Sequence, residues 1–352
     1  MTFNNVTVEE AFAACQKTNH LILDVRAHQE WFQGVASGSV LLSLNELQAK
    51  AISQLDKNTS YYVICQIGER SKKAIEILNQ LGFNKLFHIF QGFGEWQKQK
   101  LPIEHPQINP DEVRYSRHYM LQGFGKVAQD KLKEAHVLMI GAGGLGSSCA
   151  LYLAAVGVGK ITIVDDDKVE LSNLQRQIIH STSSIGSLKV ESAKYRLNDL
   201  NPEIFVEAVS ERITGQNVDK LIKNCDIVID GSDNLSTRYL VNDVCLKYSK
   251  LLIYSAVYQY EAQLTVFDFR ISDAPCLRCL FPQTEGFEPE NCTDVGVLGV
   301  VPGLAGVMQA TEAIKLITGI GEVLQNQLLT IDLLSSDFRK ISYKKSVRCE
   351  GH

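Results

Sequence analysis

The sequence predicts an α/β protein: a small α/β unit followed by a larger one built on a doubly wound, mostly parallel sheet. Three observations carry this. Short apolar runs alternate with helix-period amphipathic segments along most of the chain. A G-x-G-x-x-G turn, Gly141-Ala142-Gly143-Gly144-Leu145-Gly146, sits between one such run and one such segment. Pro102, Pro106 and Pro110 recur in a polar stretch, dividing a first unit, residues 1–105, from a second, residues 106–352.

In the first unit Leu21-Ile22-Leu23-Asp24-Val25 and Tyr61-Tyr62-Val63-Ile64 read as buried strands. Residues 71–81 read as a helix with Ala74, Ile75, Leu78 and Leu81 on one face. Leu86-Phe87-His88-Ile89-Phe90 reads as a further strand, closed by Gly92. In the second unit residues 136–140 form a strand, 145–156 a helix, 160–164 a strand and 187–200 a helix. Residues 225–229 and 251–256 follow as strands, and 263–270 and 327–333 as later strands, read as antiparallel.

A chain of 352 residues suffices for two or three domains. A net charge of -5 and the lack of a Lys/Arg block argue against nucleic acid as a partner. The N-terminus has neither a basic start nor an apolar core, so no secretory signal is expected. The apolar run 295–308 is interrupted by Gly296, Gly299, Pro302, Gly303 and Gly306 and reads as too short and too broken to cross a bilayer, so no membrane partner is expected. Nine cysteines, an odd number without an export signal, read as free thiols or metal ligands in a cytoplasmic protein. Cys15, Cys149, Cys225 and Cys245 read as core.

The glycine turn is a phosphate cradle. Gly141, Gly143 and Gly146 allow a tight turn and close backbone approach, and the helix that follows offers its N-terminus to an anion. Asp165 ends the next strand, where an acid accepts from ribose hydroxyls. A dinucleotide domain needs nothing more. Here Ser172-Asn173-Leu174-Gln175-Arg176-Gln177 and then Lys189 add an amide and two cations, which suits charge growing on a transferring phosphoryl group. Asp233 follows the strand ending at Asp230, at the carboxyl edge of the sheet; it is read either as a magnesium contact or as the cap of the next helix.

These residues bring the second unit close to a known family. It resembles the HesA/MoeB/ThiF family, relatives of ubiquitin-activating enzymes, through Arg114-Tyr115-Ser116-Arg117-His118, the turn at 141–146, residues 172–177, Gly186 with Lys189, Asp230-Gly231-Ser232-Asp233-Asn234, and Pro275-Cys276-Leu277-Arg278-Cys279. The resemblance covers nearly all of residues 111–352. It implies a Rossmann-like domain that adenylates the C-terminal glycine of a ubiquitin-like carrier ending in Gly-Gly. Gly144, Asp165, Ser172, Asn173, Arg176, Lys189, Asp233 and Asn234 would meet ATP or its Mg²⁺, and Arg117 would reach the triphosphate of the neighbouring subunit in a homodimer. The family's second C-x-x-C is replaced here by Cys349-Glu350-Gly351-His352, so with Cys276 and Cys279 the chain offers a Cys₃His set for Zn²⁺; the alternative for Cys276 and Cys279 is a redox pair. Cys292, in Asn291-Cys292-Thr293-Asp294, stands where the family has a carrier-capturing thiol, or is a free cysteine without a role.

In the first unit Cys65 follows a strand and precedes a helix, in Cys65-Gln66-Ile67-Gly68-Glu69-Arg70-Ser71. Backbone N–H groups at a helix start favour a thiolate or a bound persulfide there, and Arg70 adds a cation; the other reading is a buried structural cysteine. The unit resembles a rhodanese sulfurtransferase domain over residues 5–104, through Leu23-Asp24-Val25-Arg26, Glu30-Trp31-Phe32 with Gly34 and Gly38, the Cys65 loop, and Gln91-Gly92-Phe93 with Trp96 and Leu101-Pro102. Gln66 stands where an Arg is common and Val35 where a His is common. The two resemblances in series imply carrier adenylation followed by sulfur transfer from a Cys65 persulfide, loaded by a donor such as a cysteine desulfurase, to give a thiocarboxylate. The competing readings are an NAD(P)-dependent oxidoreductase and a non-catalytic carrier-binding scaffold.

Overall fold

The computed structural model describes residues 4–106, 113–282, 296–347 and 349. Backbone contacts divide the chain into residues 1–121 and 122–352, later than the proline stretch.

The first unit holds strands β1 (Asn5–Val6), β2 (His20–Asp24), β3 (Val35–Ala36), β4 (Val40–Leu41), β5 (Ser60–Ile64), β6 (Leu86–Ile89) and β7 (Ile103–Glu104). Five of them form a parallel sheet in the order β1-β6-β5-β2-β4; β3 and β7 make a separate antiparallel pair. Leu23, Val63, Ala74 and Leu78 pack in one apolar layer, and Ile22, Ile64, Phe93 and Trp96 in another, so the central strands are apolar on successive residues because both faces are covered. The helix Glu69–Gln80 starts two residues before the sequence reading, because Gly68 turns the chain into it with φ of +90°.

The second unit holds β8 (His136–Ile140), β9 (Lys160–Val164), β10 (Phe205–Val209), β11 (Ile227–Asp230), β12 (Leu251–Tyr258), β13 (Glu261–Asp268), β14 (Gln327–Asp332) and β15 (Asp337–Ser342). They form one sheet in the order β10-β9-β8-β11-β12-β13-β14-β15. The pairings from β10 to β12 are parallel and those from β12 to β15 antiparallel, as residues 263–270 and 327–333 were expected to pair. Strand order reverses at β8, which places a crevice above the carboxyl ends of β8, β9 and β11. The edge strands β10 and β15 escape sequence reading: β15 leaves nearly every residue exposed, and β10 carries Glu207 among its apolar residues.

Two expectations change. From Val300 onward that run is unbroken: Val300–Thr318 is one helix through Pro302, Gly303 and Gly306, long and apolar enough by length and composition to cross a membrane. In this fold it packs on the helix Gly144–Val156 and on β12 and β13, with Val301, Ala305, Ala310 and Ala313 buried. Pro302 sits in its first turn, where a missing N–H costs nothing. Of the four cysteines read as core, Cys149, Cys225 and Cys245 are buried; Cys15 caps the helix Val8–Ala14 and is only partly covered.

Candidate functional site

Above the carboxyl ends of β8, β9 and β11 lies a cleft of about 480 Å³ lined by Gly141, Gly143, Gly144, Asp165, Asn173, Arg176, Lys189, Asp233 and Asn234. These came from five separated stretches of sequence. Gly146 and Ser172 are not in the lining. Gly146 lies under the turn against the Gly141 carbonyl, and the Ser172 hydroxyl donates to Glu170 at 3.2 Å.

The turn is held from three sides. The Asp165 carboxylate accepts from the Ala142 N–H at 2.8 Å and from the Asp167 N–H at 2.9 Å. His180 reaches the Ala142 carbonyl at 3.1 Å and Ser192 at 2.9 Å; burial holds this imidazole below its ordinary pKa. Gly141, at φ +93°, faces the Gly231 carbonyl so closely that a Cβ would stand 2.9 Å from it. The helix Gly144–Val156 begins here with no side chain capping it, which leaves its first N–H groups to an anion.

The charged groups are pre-positioned. Lys189 opens the helix Lys189–Leu200 and is almost wholly buried, its ammonium 2.7 Å from Asp167. The Arg176 guanidinium donates to the Ser172 carbonyl at 3.1 Å, and Asn173 accepts from the Glu170 N–H at 3.1 Å. Asn234, not Asp233, caps the helix Leu235–Lys247, accepting from Thr237 N–H at 2.9 Å. Asp233 is therefore released from the capping alternative and leaves its carboxylate on the cleft. Asp230 beneath it is fully buried, and burial raises its pKa; its carboxylate accepts from the Ser232 N–H at 2.9 Å and hydroxyl at 2.6 Å. The donors and carboxylates suit a nucleoside triphosphate with its magnesium, since Mg²⁺ takes hard oxygen ligands and keeps much of its water.

Sequence reading missed Asp167, His180 and Arg238. Arg238 donates to the Ser232 carbonyl at 2.7 Å and to the Tyr254 hydroxyl at 3.1 Å, holding the turn before Asp233. Only proximity in the fold assigns these roles; each residue is unremarked in the sequence.

In the first unit Cys65 is buried at the carboxyl end of β5. Its sulfur accepts from the Gly68 N–H at 3.1 Å and lies 3.4 Å from the Ser71 hydroxyl, which donates to the Gly68 carbonyl at 2.8 Å. Gly92 presses on the Gln66 and Cys65 carbonyl groups and Gly68 on the Phe90 carbonyl, so the loop's path is fixed by backbone. Arg70 is bidentate on Glu30, 2.7 Å on one arm, rather than laid on the sulfur. Its charge is held by Glu30 first, with Cys65 and Asp24 adding. Below the loop Arg26 is fully buried, paired with Asp24 at 2.7 Å and 3.7 Å from the Phe93 ring centre. Gln66 touches it at 3.5 Å, and Val35 is buried in β3.

Arg117 lies on the short helix Ser116–Tyr119. Cys276, Cys279 and Cys349 come together: their sulfurs are 3.9 Å apart for the first pair and 3.5 Å for Cys276 with Cys349. Four thiolates around zinc at bond lengths of about 2.3 Å lie about 3.7 Å apart, so the cluster fits three corners of that tetrahedron. Burial pushes the Cys276 thiol up to about 12, while for Cys279 backbone and thiol hydrogen bonds outweigh burial and draw it down. Cys292 and His352 lie outside the described residues.

The ThiF family profile matches residues 115–351, and the rhodanese-like domain profile residues 7–99. The chain is 44% identical over 237 residues to the SAMP-activating enzyme E1 of Haloferax volcanii, covering 67% of this chain and 87% of that protein. It is 42% identical over 241 residues to the sulfur carrier protein adenylyltransferase of Thermus thermophilus, covering 67% and 89%. To the adenylyltransferase and sulfurtransferase MOCS3-1 of Zea mays it is 45% identical over 234 residues, 66% of this chain; the match spans half the length of the maize protein. Among solved structures, E. coli MccB with MccA-N7isoASN superposes with a TM-score of 0.59 at 26% identity, over 67% of this chain and 74% of that one.

Proposed function

The chain belongs to the ThiF family, with a rhodanese-like domain ahead of the family's segment, and from that premise we propose that it makes a protein thiocarboxylate. ATP and a ubiquitin-like sulfur carrier ending in Gly-Gly are its substrates. The carrier's terminal carboxylate attacks the α-phosphorus of ATP, the bond to pyrophosphate breaks, and an acyl-adenylate forms. The outer sulfur of a Cys65 persulfide then attacks the acyl carbon and AMP leaves. Cleavage of the resulting acyl disulfide by a thiol, for which Cys292 is the candidate, releases the thiocarboxylate; an external thiol reductant resets the cysteines.

The observation that carries this reading is the convergence of Arg176, Lys189, Asn173 and Asp233 on the uncapped helix at Gly144. Both reactants are anionic, and the two cations offset their repulsion and the charge on the departing pyrophosphate. Magnesium, for which Asp233 is the candidate ligand, would neutralise phosphate charge. A hydride-transfer domain has no use for this set, which disfavours the NAD(P) reading. Zinc on Cys276, Cys279, Cys349 and His352 would be structural. Arg117 would act on the cleft of a second copy in a homodimer, and a cysteine desulfurase is the fitting class of persulfide donor. A cytoplasmic setting fits the odd number of cysteines and the thiol and zinc chemistry proposed for them.

The test is intact mass of a Gly-Gly-tailed carrier after incubation with the chain, Mg·ATP and a protein persulfide. The expected product is heavier by one oxygen-to-sulfur exchange. A carrier of unchanged mass with every candidate tail rejects the proposal.

A further inference from the structure

Gln309 lies in the middle of the helix Val300–Thr318 and is wholly buried. Its amide nitrogen donates to the Asp230 carbonyl at 2.8 Å and lies 3.5 Å from the Ile253 carbonyl. Its amide oxygen has no partner among the described residues. An unpaired buried oxygen costs free energy, which a Met or Leu of similar size would avoid. The donated bond must therefore serve something other than packing. What it holds is the last residue of β11, from which the turn to Asp233 departs.

The same helix touches the nucleotide cleft elsewhere. Pro302 lies against Gly144, 3.0 Å from where a Cβ would stand, and Gly299 abuts the Gln175 carbonyl. The helix and its N-cap residue Gly299 thus contact the glycine turn, the Asn173–Arg176 segment and the start of the Asp233 turn. Asp233 itself is exposed, so its aim depends on how the turn behind it is fixed. Beside Arg238 the turn is anchored by Gln309 on the Asp230 carbonyl, by the Ser232 N–H and hydroxyl on the Asp230 carboxylate, and by the Gly231 N–H on the Ile140 carbonyl at 2.9 Å, while the Asn234 amide reaches the Asp233 carboxylate at 3.3 Å.

We propose that Gln309 is a positioning residue for metal-assisted nucleotide binding: by fixing the Asp230 carbonyl it aims Asp233 at the magnesium of Mg·ATP. The inference rests on the adenylation reading of this cleft. Groups that orient a metal ligand are commonly worth about 10- to 100-fold in metal-dependent affinity.

The experiment is calorimetric titration of the full-length chain with ATP, with and without magnesium, for the wild type, Gln309→Met, Asp233→Ala and the double variant. Wild type is expected to bind ATP more tightly with magnesium. Gln309→Met keeps the metal-free affinity within about twofold and loses about tenfold of the magnesium gain. In the Asp233→Ala background Gln309→Met changes nothing further, because it acts through Asp233. A purely structural role would lower both affinities together, which overturns the inference, as does a full magnesium gain in Gln309→Met. Ser232→Ala, which removes the hydroxyl bond to the Asp230 carboxylate from a partly exposed site and keeps the N–H one, is expected to lose about threefold and serves if Gln309→Met does not fold; an unchanged gain there overturns the inference too. Failure of the wild type to bind ATP at all overturns the adenylation reading and this inference with it.

Discussion

The nucleotide cleft draws its groups from residues 140 to 302, whereas the groups nearest the Cys65 sulfur come from the single stretch 65–71. In the cleft, charged side chains stand on separate elements, and each has its own neighbour: Lys189 with Asp167, Arg176 with the Ser172 carbonyl, Asp165 with two backbone N–H groups. Removing Arg176 or Lys189 deletes a charge and leaves the bonds that hold the glycine turn in place, whereas Asp165 is itself one of those bonds. Around Cys65 the backbone is itself the device, and the sulfur's closest donor is the Gly68 N–H. Chemistry in the first region is therefore separable from stability, and in the second it is not.

The sharpest way to break this comparison is to silence each region alone. Cys65→Ser is expected to abolish sulfur loading from a protein persulfide while ATP–pyrophosphate exchange stays within about twofold. Arg176→Ala is expected to do the reverse, lowering exchange about 100- to 1000-fold with loading intact. Mass spectrometry of the loaded chain and radiolabel exchange read the two outcomes. A variant that silenced both would show the regions to be one.

Next in size is backbone. Gly68→Ala puts a Cβ on the Phe90 carbonyl at a φ of +90°, so it is expected to destabilise the first unit by about 2–3 kcal/mol. Gly144→Ala meets only side-chain atoms of Pro302 and Arg176, at 3.0 and 3.6 Å. It is expected to cost less than about 1.5 kcal/mol and to weaken ATP binding instead. Thermal melts beside ATP titrations separate the two, and equal melting losses would remove the distinction.

The smallest effect is electrostatic. The hydrogen bonds from Arg70 hold Glu30 below the usual carboxylate range, with burial opposing. A depressed pKa gives stability that is full above the unfolded value of about 4.3 and lost as pH falls through the folded value. Glu30→Gln should therefore lose stability at neutral pH and flatten the decline below about pH 4. The change should be under about 1 kcal/mol, because the pair is partly exposed and screened. Urea melts at neutral and acid pH measure it, and an identical pH slope in the variant would exclude the pair as its source.

What the sequence made legible follows the same division. The glycine turn, residues 172–177 and the Cys65 loop are contiguous, so spacing alone reveals them, and the apolar strands β2, β5, β8, β9 and β11 show themselves by composition. Asp167, His180, Arg238 and Gln309 work through contacts with residues far away in the chain, and no local pattern marks them. The run 295–308 reads as too short and too broken to span a bilayer because of its glycines and Pro302, yet Gly306 sits inside the helix Val300–Thr318 where the Leu145 carbonyl leaves no room for a Cβ. At Asp233 the capping reading is removed by Asn234, one residue on, whose side chain takes the helix N–H.

The central claim is that the cleft makes a peptide tail electrophilic with ATP. Carrier-dependent ATP–pyrophosphate exchange tests it most directly. The wild-type chain is expected to exchange label into ATP only when a Gly-Gly-tailed carrier and magnesium are both present, and to stop when the tail's last glycine is removed. Exchange that ignores the carrier, or none with any such carrier while ATP is bound, would contradict the account.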